Sequence, residues 1–447
     1  MRKTETSLIL ALVFLSGMAG LINEVVWHRY LMILLGGHAR ATFTIIAVFL
    51  GGLAAGYFLF GRLKTRVHPL RLCGLLEMGI GVWALLFPSF FHLLFGRSAS
   101  LPIEILATLV LVGLPTILMG GTLPLLVRGS PNKVYSPTRW MSLLYGVNTV
   151  GAAFGSLIAA YYLLPETSLP LASSFAAGLS IVAGLSFYFW SAHPVEVPSL
   201  HQKTPSNPGI LVVGALSGFI LIALENILIR LLGLSAGPSY YHFGLVVSIY
   251  VLLLGLAPIL VRRLDAYTPK HLFWTQAVSL VFLCLLYLSI PYWPYQVYRV
   301  RALFQSDPHV FGVYQTFLGL WLLSLLALPV GVSALVLPGC YQLLEKDNPD
   351  AGSRLGKLFG WNTVGALLGS VLGGYFLLDF MNLDGVFRVV LLVAVVSCVI
   401  GYCLWRPLFV IPRSFRNAIT FAIVMAAICV SLPNFPKERF IESYRQE

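Results

Sequence analysis

The sequence predicts an all-α polytopic membrane protein: two parallel six-helix repeats, twelve helices in all, followed by a short thirteenth helix. Three observations carry this. Hydrophobic residues make up 58% of the 447 positions and charged residues only 10%, where a soluble domain carries about a quarter charged residues. The apolar runs are long and continuous, which in lipid means helices, because only a helix satisfies its backbone polar groups segment by segment. The alternating pattern of a β-barrel is absent from them. The third observation is a duplication. Leu15–Leu63 recurs in register as Leu216–Leu264, with Ser16/Ser217, Gly17/Gly218, Glu24/Glu225, Arg29/Arg230, Gly36/Gly237 and Arg62/Arg263 all 201 positions apart. Downstream the spacing becomes 214, in Pro115/Pro329, Pro124/Pro338, Asn148/Asn362, Gly151/Gly365, Gly155/Gly369, Ser156/Ser370 and Tyr161/Tyr375. One net insertion of 13 residues reconciles the two spacings.

In order along the chain, apolar runs place spans near 7–35, 41–61, 72–95, 101–127, 137–164 and 168–191. A second set follows near 209–234, 240–261, 271–292, 311–343, 355–378 and 385–405. The expected organisation is a first repeat at 1–192, a polar cytoplasmic linker at 193–208 and a second repeat at 209–408. An additional apolar segment lies at 409–433, with a polar tail at 434–447. Its core, 417–432, either spans the membrane or lies as a re-entrant or interfacial piece. Met1-Arg2-Lys3 leads into a run too long for a secretory signal, so no cleavage is expected. Each repeat holds an even number of spans, so both share one orientation and are related by an axis along the membrane normal. The insertion falls around Tyr292 to Val310, read as an outer loop whose Trp293, Tyr295 and Tyr298 form an interfacial belt or a lid.

The net charge of +12 is a topology signal. Arg62, Lys64, Arg66 and Arg71 crowd one loop, and Arg128, Lys133 and Arg139 another. Arg262, Arg263, Lys270, Lys346, Arg354, Lys357, Arg406, Arg413 and Arg416 then fall in alternate loops on the side of the N-terminus. This is the positive-inside pattern. It implies a multi-pass protein of the inner (plasma) membrane with a cytoplasmic N-terminus, and it argues against nucleic-acid binding. The six cysteines all sit in apolar segments without metal spacing, and the nine histidines form no metal motif. Neither a metal site, a cofactor nor a catalytic residue is expected; the partner expected from composition is the lipid bilayer.

Polar groups inside the spans are the candidates for function. A carboxylate in hydrocarbon costs about 2.5–3.5 kcal/mol on insertion scales, yet both repeats keep one, Glu24 and Glu225. Gly17 and Gly218 lie seven residues before them on the same helix face. With Arg29 and Arg230 five residues on, each glutamate forms either an internal ion pair or a site for a cationic group or a proton. Glu77 has Gln276 as its nearest counterpart, and Asn148 and Asn362 each begin an Asn-Thr-Val-Gly run that either bonds a neighbouring helix or meets substrate. Gly151-x-x-x-Gly155 and Gly365-x-x-x-Gly369 are small-residue packing faces. Pro115, Pro124, Pro329 and Pro338 are expected to interrupt the fourth helix of each repeat at matching places, as plain kinks or as markers of a pathway.

The segments Leu15-Ser-Gly-Met-Ala-Gly-Leu-Ile-Asn-Glu-Val-Val-Trp-His-Arg29, Gly120-Gly-Thr-Leu-Pro124 and Tyr145-Gly-Val-Asn-Thr-Val-Gly-Ala152 resemble the membrane part of fused major facilitator/spermidine synthase proteins. The resemblance implies a facilitator-like transporter handling a polyamine or another small cationic or amphipathic metabolite. It places the family's aminopropyltransferase-like domain from about Phe435 on, and the chain holds neither its Gly-rich nucleotide loop nor its acidic residues. The loop Gly61-Arg-Leu-Lys-Thr-Arg66 also lacks the acidic residue usual in facilitators, and Leu228 replaces Trp27 in the second copy. Aminopropyl transfer by this chain is therefore not expected. The alternatives are a membrane subunit for a separately encoded aminopropyltransferase-like protein, or a lipid-handling protein whose Glu–Arg pairs hold a headgroup.

Overall fold

The computed structural model describes residues 3–34, 39–63, 67–94, 106–129, 137–190, 207–261, 267–304, 310–344, 350–406 and 412–435. Among these, all regular structure is helical. The first half comprises α1 (Lys3–Leu34), α2 (Ala39–Arg62), α3 (Pro69–Leu94), α4 (Leu106–Gly129), α5 (Pro137–Ile158) and α6 (Leu169–Trp190). The second comprises α7 (Pro208–Ala236), α8 (Tyr240–Val261), α9 (Pro269–Ser289), α10 (Phe311–Ala334), α11 (Ala351–Gly374) and α12 (Leu383–Trp405). These 12 are long and apolar enough to cross a membrane, and α13 (Pro412–Ser431) follows. The linker expected at 193–208 lies, apart from its last two positions, outside the described residues, as do Lys64, Arg66, Lys133, Arg262, Arg263 and Lys346.

The duplication is visible as repeated backbone contacts. A side chain at Gly17 would collide with the carbonyl of Asn148, and one at Gly218 with the carbonyl of Asn362. Gly151 faces the Phe14 carbonyl where Gly365 faces that of Ala215, and Gly155 faces Met18 where Gly369 faces Phe219. The seams α1/α5 and α7/α11 are thus the same object built twice, at the close approach that only small residues permit. Between the halves, α2 packs on α11, α5 on α8, and α4 on α11.

The hydrophobic core has a telling layout. On the face carrying the N-terminus and the basic residues, one continuous cluster joins both halves, running from Ile9 and Val13 through Leu123 and Leu144 to Leu211, Tyr341 and Leu355. Toward the opposite face it divides. One core belongs to the first half, around Ile22, Trp27, Phe87 and Ala176. The other belongs to the second half, around Leu224, Tyr250, Leu322 and Leu391. The apolar cores of the halves are joined at the basic face and separate beyond it, where Gly244 against Ala160 and Tyr161 against Tyr241 keep the halves in contact.

Two expectations need correction. The run after Tyr292 is not a loop: α9 continues through a 3-10 turn (Ile290–Tyr292) into a helical segment, Trp293–Ala302. Its Trp293 and Val297 are buried one turn apart, while Tyr295 and Tyr298 face outward. The Trp293 ring meets Trp321 edge-on at 5.4 Å, and Trp321 Nε1 donates to Gln296 Oε1 at 3.1 Å. Amphipathic packing on its own half explains Trp293, while Tyr295 and Tyr298 stay exposed. The prolines, matched in sequence, distort their helices at different places. In α4 a π-helical stretch (Leu109–Gly113) precedes Pro115 and the helix runs on through Pro124. In α10 the helix runs through Pro329 and breaks at Leu335, ahead of Pro338, resuming as Val336–Leu343. A proline cannot donate to the carbonyl four residues back. For Pro115 that carbonyl is Leu111, and Trp83 Nε1 takes it instead at 2.9 Å. The apolar segment after α12 is a helix, α13, that lies along α12 and α9. Phe421 meets Phe273, 6.0 Å away, near the basic face. At the far end Tyr287 donates to the Pro433 carbonyl at 2.9 Å, and Arg388 donates to that of Leu432 at 2.7 Å.

Candidate functional site

Glu24 and Glu225 stand on the first helix of each half, eleven or twelve residues past the shared core, or about 17 Å along the axis at roughly 1.5 Å per residue. Both are half-buried. Glu225 lies near enough to Glu24 to feel its charge. Neither makes a hydrogen bond or an ion pair among the described residues.

The internal Glu–Arg pair expected as one alternative does not form. Arg230 donates to the carbonyl of Gly374 at 2.7 Å, and the Arg29 guanidinium sits 5.9 Å from the centre of the Tyr240 ring. Five residues on a helix turn a side chain about 140° around the axis at roughly 3.6 residues per turn, and here that offset carries each arginine away from its glutamate. The carboxylates are left to each other.

The other polar candidates divide by location. Asn148 donates from Nδ2 to the Val13 carbonyl at 3.3 Å, and Asn362 to that of Gly214 at 2.9 Å. These are equivalent bonds across equivalent seams, so both asparagines act as helix-to-helix ties. Glu77 is set apart, inside the first half. It accepts from Ser16 Oγ at 2.5 Å and also bonds Ser180. Its spatial counterpart is Gln276, which donates to Ser397 through Oγ at 2.6 Å and through the carbonyl at 2.9 Å. Thus Ser16–Glu77–Ser180 joins the first, third and sixth helices of the first half, while Gln276–Ser397 joins only the third and sixth helices of the second. In the second half Gln276 Oε1 and Ser217 Oγ border a cavity of about 20 Å³, the size that admits a single water.

Two inter-half contacts went unread in the sequence. On the basic face, Arg128 closes α4 and reaches both halves. Its Nε and Nη2 meet the two oxygens of Asp350 at 3.2 Å each, and it donates to the carbonyls of Gly61 at 2.8 Å and Leu63 at 3.1 Å. Asp350 at the same time caps α11, accepting from the backbone of Gly352 and Ser353. The Asp-Ala-Gly-Ser start of that helix was a readable capping signal; its arginine partner 222 positions away was not. Toward the opposite face, Tyr161 follows the α5 seam into a π-helical turn (Ala159–Leu163) and donates to Gln315 Oε1 at 3.1 Å across the halves.

Comparison with known proteins supports the fold. No family profile and no curated protein matches the chain. Among solved structures, a bacterial homologue of the iron transporter ferroportin in an outward-facing state is similar, with a TM-score of 0.58 at 15% identity over 88% of this chain and 97% of that one. The same kind of protein in an outward-facing state with soaked iron gives 0.58 at 15% over 89% and 98%. These likenesses show the fold alone: the twelve apolar helices are arranged as in those transporter structures. They do not extend to a fused spermidine synthase.

Proposed function

We propose that the chain is a secondary transporter in which the halves at 1–192 and 209–408 rock about a cation site formed by Glu24 and Glu225. One observation carries this: repeat-equivalent carboxylates stand within electrostatic reach of each other, with no arginine paired to either. Such a pair is costly to keep in a membrane interior unless a cation or a proton occupies it. A core shared by the halves at the basic face and divided beyond it is in keeping with one end state of alternating access. Charge placement supports a plasma-membrane protein with the N-terminus and basic face cytoplasmic.

The cargo class that fits is a small cation. A polyamine presents ammonium groups to two carboxylates and methylene carbons to apolar walls, in keeping with the resemblance of α1, α4 and α5. A divalent metal ion is the second reading, supported by the iron transporter homologues that share the fold. Against it, no group of three or more His, Cys, Asp and Glu side chains converges among the described residues, whereas carboxylate-bound divalent ions usually draw more oxygen ligands than two residues give.

The test is uptake in proteoliposomes of labelled spermidine and, separately, of manganese(II), under imposed proton and cargo gradients. Wild type is expected to move spermidine, with Glu24→Gln and Glu225→Gln each lowering the rate at least tenfold. Manganese uptake lost in the same variants would favour the metal. Folded variants that match wild type would remove the glutamates from the site. Absence of any movement, with a soluble aminopropyltransferase-like protein co-purifying, would replace transport by the subunit reading.

A further inference from the structure

Two cavities occupy the same place in the two repeats. The first, about 490 Å³, is lined by Arg29, Met32, Ile33, Leu164, Thr167 and Leu169. The second, about 630 Å³, contains the residues 201 positions after the first three and 214 after Leu164 and Leu169, with Arg230 and Leu378 among them. Five of six lining positions therefore recur under the two spacings of the duplication. Each cavity sits between the first helix of a half and the turn joining its fifth and sixth helices, at the face opposite the basic one.

Their chemistry is uniform: one guanidinium at the mouth and walls that are otherwise mostly apolar. Arg29 makes no hydrogen bond or ion pair among the described residues, and Arg230 spends one donor on the Gly374 carbonyl. No carboxylate lines either cavity. The second cavity has one further group. His242, only 8% exposed, holds its Nδ1 2.8 Å from the Gly237 carbonyl. A carbonyl only accepts, so the proton is on Nδ1. The Nε2 atom is buried without a partner. Position 41, its equivalent in the first repeat, is alanine.

We infer that these are twin sites for an anionic phospholipid of the leaflet at that face, the phosphate on the arginine and the first carbons of the chains against the leucine walls. A guanidinium binds phosphate through two parallel hydrogen bonds, and cavities of this size fall within the ordinary range for bound small groups. Apolar walls distinguish the lipid from a free phosphate ester, which would leave them wet. The lipid sites are separate from the glutamate site, and they stand or fall independently of transport.

Native mass spectrometry of the detergent-purified full chain tests this, with phosphatidylglycerol, phosphatidylcholine or sn-glycerol 3-phosphate added at equal concentration. Two tightly held phosphatidylglycerol molecules are expected, reduced to one in Arg29→Ala or Arg230→Ala and to none in the double variant. Arg29→Lys and Arg230→Lys, which keep the charge and lose the fork, should weaken binding several-fold while leaving the protein folded by thermal denaturation. Unchanged phosphatidylglycerol binding in the folded double variant would overturn the proposal. So would equal retention of sn-glycerol 3-phosphate, which would make these sites for soluble anions, or of phosphatidylcholine, which would show that the anionic charge is not read.

Discussion

Arg128 and Asp350, 222 positions apart, form a two-pronged ion pair at 3.2 Å that ties the end of α4 to the start of α11 across the two halves. The arginine also collects the carbonyls that end α2, where a helix terminus is negative. The carboxylate occupies the positive start of α11. Charge on each side is therefore matched twice, by a partner and by a helix end.

Loss of this tie should favour opening at the basic face. The Asp350 side chain is 46% exposed, so solvent screening holds its worth to about 1 kcal/mol, near a fivefold change in a two-state equilibrium. Spin-label distances between α2 and α11 in Arg128→Ala should show the open population rising about that much. Asp350→Asn, which keeps the cap, should open the face while leaving thermal stability close to wild type. An unchanged distance distribution would show that the packing of α2 on α11 alone holds the face shut.

The glycine seams should tolerate no side chain. Gly17→Ala and Gly218→Ala would each drive a methyl into a backbone carbonyl, and overpacking of this kind costs about 1–3 kcal/mol. Comparable losses are expected from the two because the seams are equivalent. Gly20→Ala, on the same helix with open space around it, serves as the control and should be neutral. Thermal denaturation in detergent distinguishes the three.

Trp83 and Pro115 should be energetically coupled. Trp83→Phe removes the donor that satisfies Leu111, leaving a carbonyl that the proline ring cannot serve; an unsatisfied buried acceptor costs about 1–3 kcal/mol. In Pro115→Ala a backbone N–H becomes available, so the tryptophan change should cost less in that background. A double-mutant cycle on thermal stability reads the difference, and strict additivity would show that Leu111 finds its partner elsewhere.

Acid should weaken the start of α3. His68, just outside the span, accepts the Leu70 N–H on Nδ1 at 3.2 Å. Burial first, and then the nearby Arg71, hold its pKa below the ordinary value of 6.5. A group whose folded pKa is depressed contributes its stability above the unfolded value and loses it as pH falls through the folded one. Stability should therefore decline below about pH 6.5, and His68→Asn, a cap that does not titrate, should flatten that part of the profile.

Much of the fold was legible because the bilayer allows few solutions. Twelve apolar runs, basic alternate loops and two fixed spacings left little besides paired six-helix bundles, and the paired glutamates stood out by their cost. What escaped was set by contacts at long range. Nothing near Arg29 or Glu24 says that they point apart around the helix, and nothing near Arg128 names Asp350. The aromatic run after Tyr292 suggested an interface because its period was not weighed: Trp293 and Val297 are one turn apart. The prolines misled differently, since identical residues at identical positions deform a helix according to which side chain can adopt the stranded carbonyl.

The seams between α1 and α5 and between α7 and α11 bring backbone against backbone, leaving no side chain between them to be exchanged. Variation can alter what lines the gap between the halves, but it has little purchase on either half's own shape. What the two copies inherited in common is thus stiffness, a pair of matched levers whose lengths are fixed by glycine. In the proposed transport cycle, the stroke between the halves would be set by those contacts.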